Sequence, residues 1–377
     1  MSNTNVDALY PEFWAGAWDK LDIGKYGLQN KVSRDVEIML ANAGDTINVP
    51  ITPDLGDADD WTPGDAITAT TITQETAQVV LNKSKKMTIA LTGKELSLTP
   101  YKLIEKYGIP MAKTIIKAVN LDIYLELLKT DTWVDAISGI DENDIVSCKT
   151  ALSLNEITDE GRSLIVGPDD IDTLLKLDAF QHVNISGTND AMVEGLLQRK
   201  FGFDIFENNI ISKYTPTDVA GAIDNGAGYA IGATTIAVDA FNDDVNPIRA
   251  GDIFIIADES GTPYHTVIST TTTTSDTTGI TFTPALTDAT ADDAVVTVTP
   301  TRSALGFVPS AAAFAARSYA TLPSDVGVSS SVLNLAGLPI RISVFHDSKL
   351  GLNVQYDLLY GVKTVNSDRV CRILCAA

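Results

Sequence analysis

The sequence predicts an α+β chain, in which a mixed α/β body is built around one long helix and a small all-β module is set into it. Three observations lead there. Residues 45–98 carry β-type alternation on both sides of a stretch rich in Gly, Pro and Asp. Residues 99–130 follow with apolar side chains at helical spacing. Residues 227–299 then become short Thr-rich strands, and helix-and-strand patterning resumes beyond them, so the β module reads as an insertion.

The elements follow in order. Residues 1–44 read as an N-terminal arm, with Trp14 and Trp18 four apart and Leu21 after them on one face of a short helix. Val32, Val36 and Met39 repeat helical spacing, and a partner chain is one candidate to cover them. Residues 45–98 form an extended β-loop, a two-stranded ribbon whose acidic tip contains Trp61. From Thr46 to Leu91 each arm could reach roughly 70 Å at about 3.3 Å per residue. An isolated ribbon is marginal in water, so it either folds onto its own body or is held by neighbours, and its reach favours neighbours.

Residues 99–130 give a spine helix, with Thr99 as N-cap and Pro100 at its first position. Ile104, Tyr107, Met111, Ile115, Val119, Ile123 and Leu127 form its stripe, interrupted at Gly108 and Pro110, where a kink precedes a main helix of about 20 residues. Residues 131–226 read as α/β: a strand at Leu164–Val166, a helix from Pro168 with Asp169 and Asp170 at its positive end, another helix, then a strand near Phe203–Phe206. Within residues 227–299, the barrel or sandwich, the "STTTTTSDTTG" run from Ser269 is expected to be an exposed turn, and "GAGYAIG" a flexible join. Residues 300–377 return to the parent fold, with an Ala-rich helix after Pro309 and a closing pair of strands, Leu358 to Val362 and Val370 to Leu374.

Composition limits the functions open to this chain. A length of 377 residues exceeds one typical domain, and 45% hydrophobic with 20% charged residues is ordinary for a globular chain. A net charge of −22 argues against an open basic surface for DNA or anionic membrane. The opening residues lack both a basic start and an apolar run, so no secretion signal is expected, and no stretch is long enough to span a membrane. Cys148, Cys371 and Cys375 read as small buried residues in a reducing cytoplasm, with Cys371 and Cys375 too far apart along one strand to bond each other.

No catalytic motif emerges. His182, His265 and His346 lie in three differently patterned regions without a ligand partner at metal spacing, and no nucleophile elbow or phosphate loop is present. Asp57, Asp59 and Asp60 at the ribbon tip are oxygen donors in a row, yet Trp61 breaks the calcium-loop pattern. Lys83, Lys85 and Lys86 form the densest positive run and would suit an acidic surface of a neighbouring subunit or a solvated strand edge. No catalytic residue, cofactor or metal is expected.

The layout resembles the major capsid (coat) protein of tailed bacteriophages. The resemblance rests on the order of arm, β-loop (45–98), spine helix (about 100–130) and α/β domain, on "SALGFVPSAAAFAAR", and on a closing "DLLYGVKTVNSDRVCRIL" with Tyr360-Gly361-Val362 before a last strand. The insertion is similar to that of short-tailed enterobacterial phage coats. The resemblance implies a non-enzymatic subunit that assembles as hexamers and pentamers into an icosahedral head around double-stranded DNA, in the cytoplasm of a bacterial host. It also implies a separate scaffolding protein, a portal and a possible decoration protein, without sequence-specific DNA binding or a membrane. Expected inter-subunit contacts are Trp14, Trp18, Trp61, Lys83, Lys85, Lys86 and Tyr360. The family places the final strand pair in the axial sheet, where it serves an interface as well as a core. An encapsulin-type nanocompartment shell and a multidomain carbohydrate-binding surface protein are the alternative readings.

Overall fold

The computed structural model describes residues 27–35, 46–51, 72–74, 76–91, 107–177, 180, 199–211, 220–239, 248–261, 263–274, 277–299, 301–321, 328–346 and 351–376. After a 3-10 turn at Leu28–Asn30 come strands β1 (Thr46–Pro50), β2 (Thr76–Val80) and β3 (Lys83–Leu91), then helix α1 (Ile109–Leu127). An α/β stretch follows: β4 (Trp133–Ala136), α2 (Glu142–Leu154), β5 (Ser163–Val166), α3 (Pro168–Leu175) and β6 (Asp204–Glu207). Six strands make the inserted unit: β7 (Ala220–Ile223), β8 (Thr235–Asp239), β9 (Ile253–Ile256), β10 (His265–Thr274), β11 (Thr277–Thr283) and β12 (Val295–Thr299). The chain returns through β13 (Thr301–Phe307), β14 (Ala312–Arg317), β15 (Val328–Leu335), β16 (Leu338–His346), β17 (Leu352–Thr364) and β18 (Val370–Ala376).

The expected stripe builds α1. Pro110 sits in its first turn, where the missing N–H leaves no hydrogen bond unmade, and Met111, Ile115, Val119, Ile123 and Leu127 are all buried. Burying side chains of this size contributes roughly 1.5–3 kcal/mol each. Thr99, Pro100 and Ile104 lie outside the described residues. α1 packs between two sheets. One has the order β4-β18-β13-β5-β6, and the other has β14-β17-β16-β15 with β3 also on β17. Strand parity sorts the first sheet: Ile165, Leu305, Phe307 and Val370 face the α1 core. Leu164, Val166, Ala304, Cys371 and Ile373 turn to a second core beneath α2 and α3. α2 starts at a capping box, in which the Asp141 carboxylate accepts the Asn143 and Asp144 N–H groups at 2.8 and 3.0 Å while Asp144 accepts that of Asp141 at 2.9 Å.

Residues 220–299 close into a six-stranded barrel, β10-β11-β8-β7-β12-β9, around its own core. It begins at Ala220, before the expected boundary. "GAGYAIG" is therefore an internal barrel connection between β7 and β8, not a join to the body. Gly228 (φ +62°) is pressed so close to the neighbouring loop that a Cβ would lie 1.9 Å from the Thr290 carbonyl oxygen. The flanks of the Thr run are strands, as its strong β-propensity implies: Ser269–Thr274 belongs to β10 and Thr277–Gly279 to β11, while Ser275 and Asp276 lie outside the described residues. The barrel seats on the body through Tyr264, edge-on to Trp133 at 5.0 Å, and through Gly251, which lies against Leu128.

Other expectations also need correction. The Ala-rich segment after Pro309 is a single 3-10 turn followed by strand β14, paired along its whole length with β17. Ala312 and Phe314 face the α1 core while Ala313 and Ala315 face Ile47, Val79 and Leu81. A run buried on both faces loses the alternation that separates strand from helix. The long ribbon is shorter than expected: β1 pairs with β2, but β3 joins the body sheet along residues 352–360 of β17. Val32 is buried, yet residues 31–35 are not helical, and Ser33 bridges to Ala313. Val36 and Met39, the tip Asp57, Asp59 and Asp60, residues 189–198 of the helix expected before Phe203 and His182 lie outside the described residues, and Lys200 bridges to Phe203. Finally, β17 and β18 are not partners, because each belongs to a different sheet. Between them the chain wraps the end of α1, with Thr364 donating to the Glu126 carbonyl at 2.8 Å and Thr130 donating to those of Ser367 and Val370 at 3.0 Å.

Candidate assembly surfaces

Alternation along β3 divides the three lysines. Lys83 and Lys85 share a face with Met87, Ile89 and Leu91, which pack against the α1 core, whereas Lys86 points outward and is exposed. Lys83 and Lys85 bring their ammonium groups to the Asp122 carboxylate of α1, at 3.8 and 3.5 Å. The Tyr360 hydroxyl donates to the same carboxylate. Burial first, then the Asp122 hydrogen bond and charge, push the Tyr360 hydroxyl far above its ordinary value, so it stays a donor at any physiological pH. Asp122 therefore ties helix, edge strand and long central strand together.

This overturns part of the expected contact set. Tyr360 has no exposed surface and is a core residue. Lys83 and Lys85 reach a partner within their own chain while their side chains stay 33% and 41% exposed, and Lys86 points outward. Trp14, Trp18 and Trp61 lie outside the described residues. Sequence reasoning missed Asp122, because its partners lie on strands far along the chain.

The root of the ribbon is anchored by close approach. Gly361 on β17 lies under the turn after β2, where a Cβ would meet the Val80 carbonyl oxygen at 2.2 Å. Ile47, Val79 and Leu81 pack there on Ala313 and Ala315. Gly361 is thus required by the passage of the ribbon over the sheet.

The barrel holds a different polar cluster. His265 and Glu259 have no exposed side-chain surface and are hydrogen-bonded to each other. The other ring nitrogen of His265 meets the Pro284 carbonyl at 2.9 Å, while Glu259 accepts the Thr287 N–H at 2.7 Å and its hydroxyl at 3.1 Å. Phe254 and Phe282 flank the ring at 5.3 and 5.0 Å. An imidazole so enclosed cannot reach a substrate, and its role is to fasten the β9–β10 loop inside the barrel. Among the described residues no three His, Cys, Asp or Glu side chains are placed to hold a metal, and no helix is long and apolar enough to cross a membrane. From Ala220 to Thr299 the chain carries ten aspartates and Glu259 against one basic residue, Arg249.

No family model matches the sequence, and no curated protein matches it. Solved structures do. One from Mycobacterium phage Che8 superposes with a TM-score of 0.54 at 14% identity, covering 92% of this chain and 89% of that one. The asymmetric unit of the bacteriophage PhiM1 mature capsid gives 0.49 at 10%, over 89% and 83%. The cyanophage Pam1 capsid asymmetric unit gives 0.48 at 12%, over 91% and 87%. At such identities the likeness is one of fold. Spine helix, two-sheet body, ribbon root and inserted barrel together make this chain an α+β protein with the tailed-phage major capsid fold.

Proposed function

We propose that this chain is the structural subunit of a viral head, assembling as hexamers and pentamers into an icosahedral shell around double-stranded DNA. The observation that carries the reading is the extent of the fold, which accounts for 92% of the chain. On this reading residues 1–44 and the ribbon of residues 45–98 reach neighbouring subunits, and Trp14, Trp18, Trp61 and Lys86 are the contacts they bring. The spine helix of residues 99–130 and the α/β parts, 131–226 and 300–377, form the peripheral and axial regions. Assembly takes place in the bacterial cytoplasm with a separate scaffolding protein, a portal and a possible decoration protein. The subunit is mechanical and not an enzyme.

The test is electron microscopy of the chain expressed with its neighbouring genes. Uniform icosahedral shells are expected, filled with DNA in particles from an infection. Shells that enclose protein would favour the nanocompartment alternative. Monomers alone, with a scaffold present, would overturn the reading.

A further inference from the structure

We propose that Cys148 and Cys371 form a latent disulfide that fastens the last strand, β18, to helix α2. All three cysteines are buried and reduced. Cys148 points from α2 into the sheet, and its Sγ lies 2.6 Å from where a Cβ on Gly306 would stand. Only glycine leaves room for that sulfur. Gly306 is the register partner of Cys371 in the antiparallel β13–β18 pair. Residues directly opposite in such a pair have Cα atoms about 4.5–5.5 Å apart and side chains on the same face. The Cys148 sulfur thus lies beside the side-chain position of Cys371, on the same face of the sheet. The two residues belong to one core cluster. The neighbouring Cys371 thiol, and after it burial, push the Cys148 thiol well above its ordinary value. Cys375 is on the same face of β18 but about 13 Å further along at 3.3 Å per residue, with Asp170 beside it.

A buried, protonated thiol reacts slowly, so the pair stays reduced in a reducing compartment. Hydrogen peroxide is small enough to act on it. One thiol takes an oxygen from peroxide to become a sulfenic acid and releases water. The second thiol's sulfur then displaces that oxygen as a further water, and the S–S bond forms. Two thiols lose two protons and two electrons, and one peroxide becomes two waters. The closed loop would run from α2 through the barrel to β18, a long loop whose closure restricts the unfolded chain. That the bond forms after release into an oxidising medium rests on the coat reading; the bond itself does not.

The full chain is exposed to hydrogen peroxide in its folded state and, separately, refolded from urea in a glutathione redox buffer. Intact mass and peptide mapping follow without reduction. The expected product has lost two hydrogens, links the Cys148 and Cys371 peptides, and unfolds at higher urea than the reduced chain. Cys375→Ser keeps the link and Cys371→Ser abolishes it. If Cys371→Ser does not fold, the wild-type peptide map decides alone. Absence of the link under both treatments, or a link through Cys375, overturns the proposal. Electron microscopy reads the shell separately, so failure of one reading is distinguishable from failure of the other.

Discussion

The inserted barrel and the sheet β14-β17-β16-β15 with β3 are both antiparallel, yet they treat their polar edges and charges in opposite ways. The barrel closes on itself, leaves no sheet edge, and buries a hydrogen-bonded polar cluster at His265 and Glu259 within its own loops. The body sheet stays open, ends in β3 and β15, and places its corresponding cluster, Asp122 with Lys83 and Lys85, at a half-exposed seam. Its central strand β17 is 13 residues long because it receives three partners: β3 on one flank, β16 and then β14 on the other. The barrel is complete as a fold, whereas the body is built to carry an outgoing ribbon. Charge in a dry core is therefore a stability matter, and charge along the seam a matter of positioning.

Breaking the barrel's cluster has the largest expected effect. Glu259→Ala leaves His265 and the Thr287 N–H facing an apolar space, two buried polar groups left unsatisfied at about 1–3 kcal/mol each. Hydrogen exchange should show β9–β12 losing protection while α1 keeps it. Equal loss in both regions would mean that the barrel does not unfold as its own unit.

Next is the ribbon crossing. Gly361→Ala drives a Cβ into the Val80 carbonyl and should cost about 1–3 kcal/mol. Protection should fall first in β1 and β2, and a uniform change would argue against a local crossing. Tyr360→Phe keeps the ring and removes one donor to a carboxylate, a loss of about 1.5–3 kcal/mol for a well-buried bond. The lower end is expected, since Asp122 keeps two lysines; urea unfolding reads it. The smallest effect belongs to Lys86→Ala, an outward side chain whose removal should leave the urea midpoint within error. On the coat reading the same substitution reduces shell yield by electron microscopy, which separates an assembly contact from a solvated edge.

The course of sequence reasoning shows where its signals hold. The stripe on α1 and the Thr-rich strands between Gly turns were legible through their period, and the strand and helix at Ser163–Leu175 through the Gly-Pro break between them and the acids of the helix's first turn. Ala312–Arg317 was misread because both of its faces are covered, and small residues then satisfy helix and strand alike. Tyr360 entered the expected contacts through the Tyr-Gly-Val resemblance alone, and its Asp122 partner lies 238 positions away.

The sequence by itself determined the periodic elements, the order of parts and the place of the insertion, because these depend on spacing and turn chemistry within short windows. Tertiary structure alone decided the rest. It placed β17 and β18 in different sheets, turned Lys83 and Lys85 inward and Lys86 outward, and made Gly306 the space into which the Cys148 sulfur fits. Those outcomes depend on which distant segments come within a few ångströms of one another, and no local pattern encodes that distance.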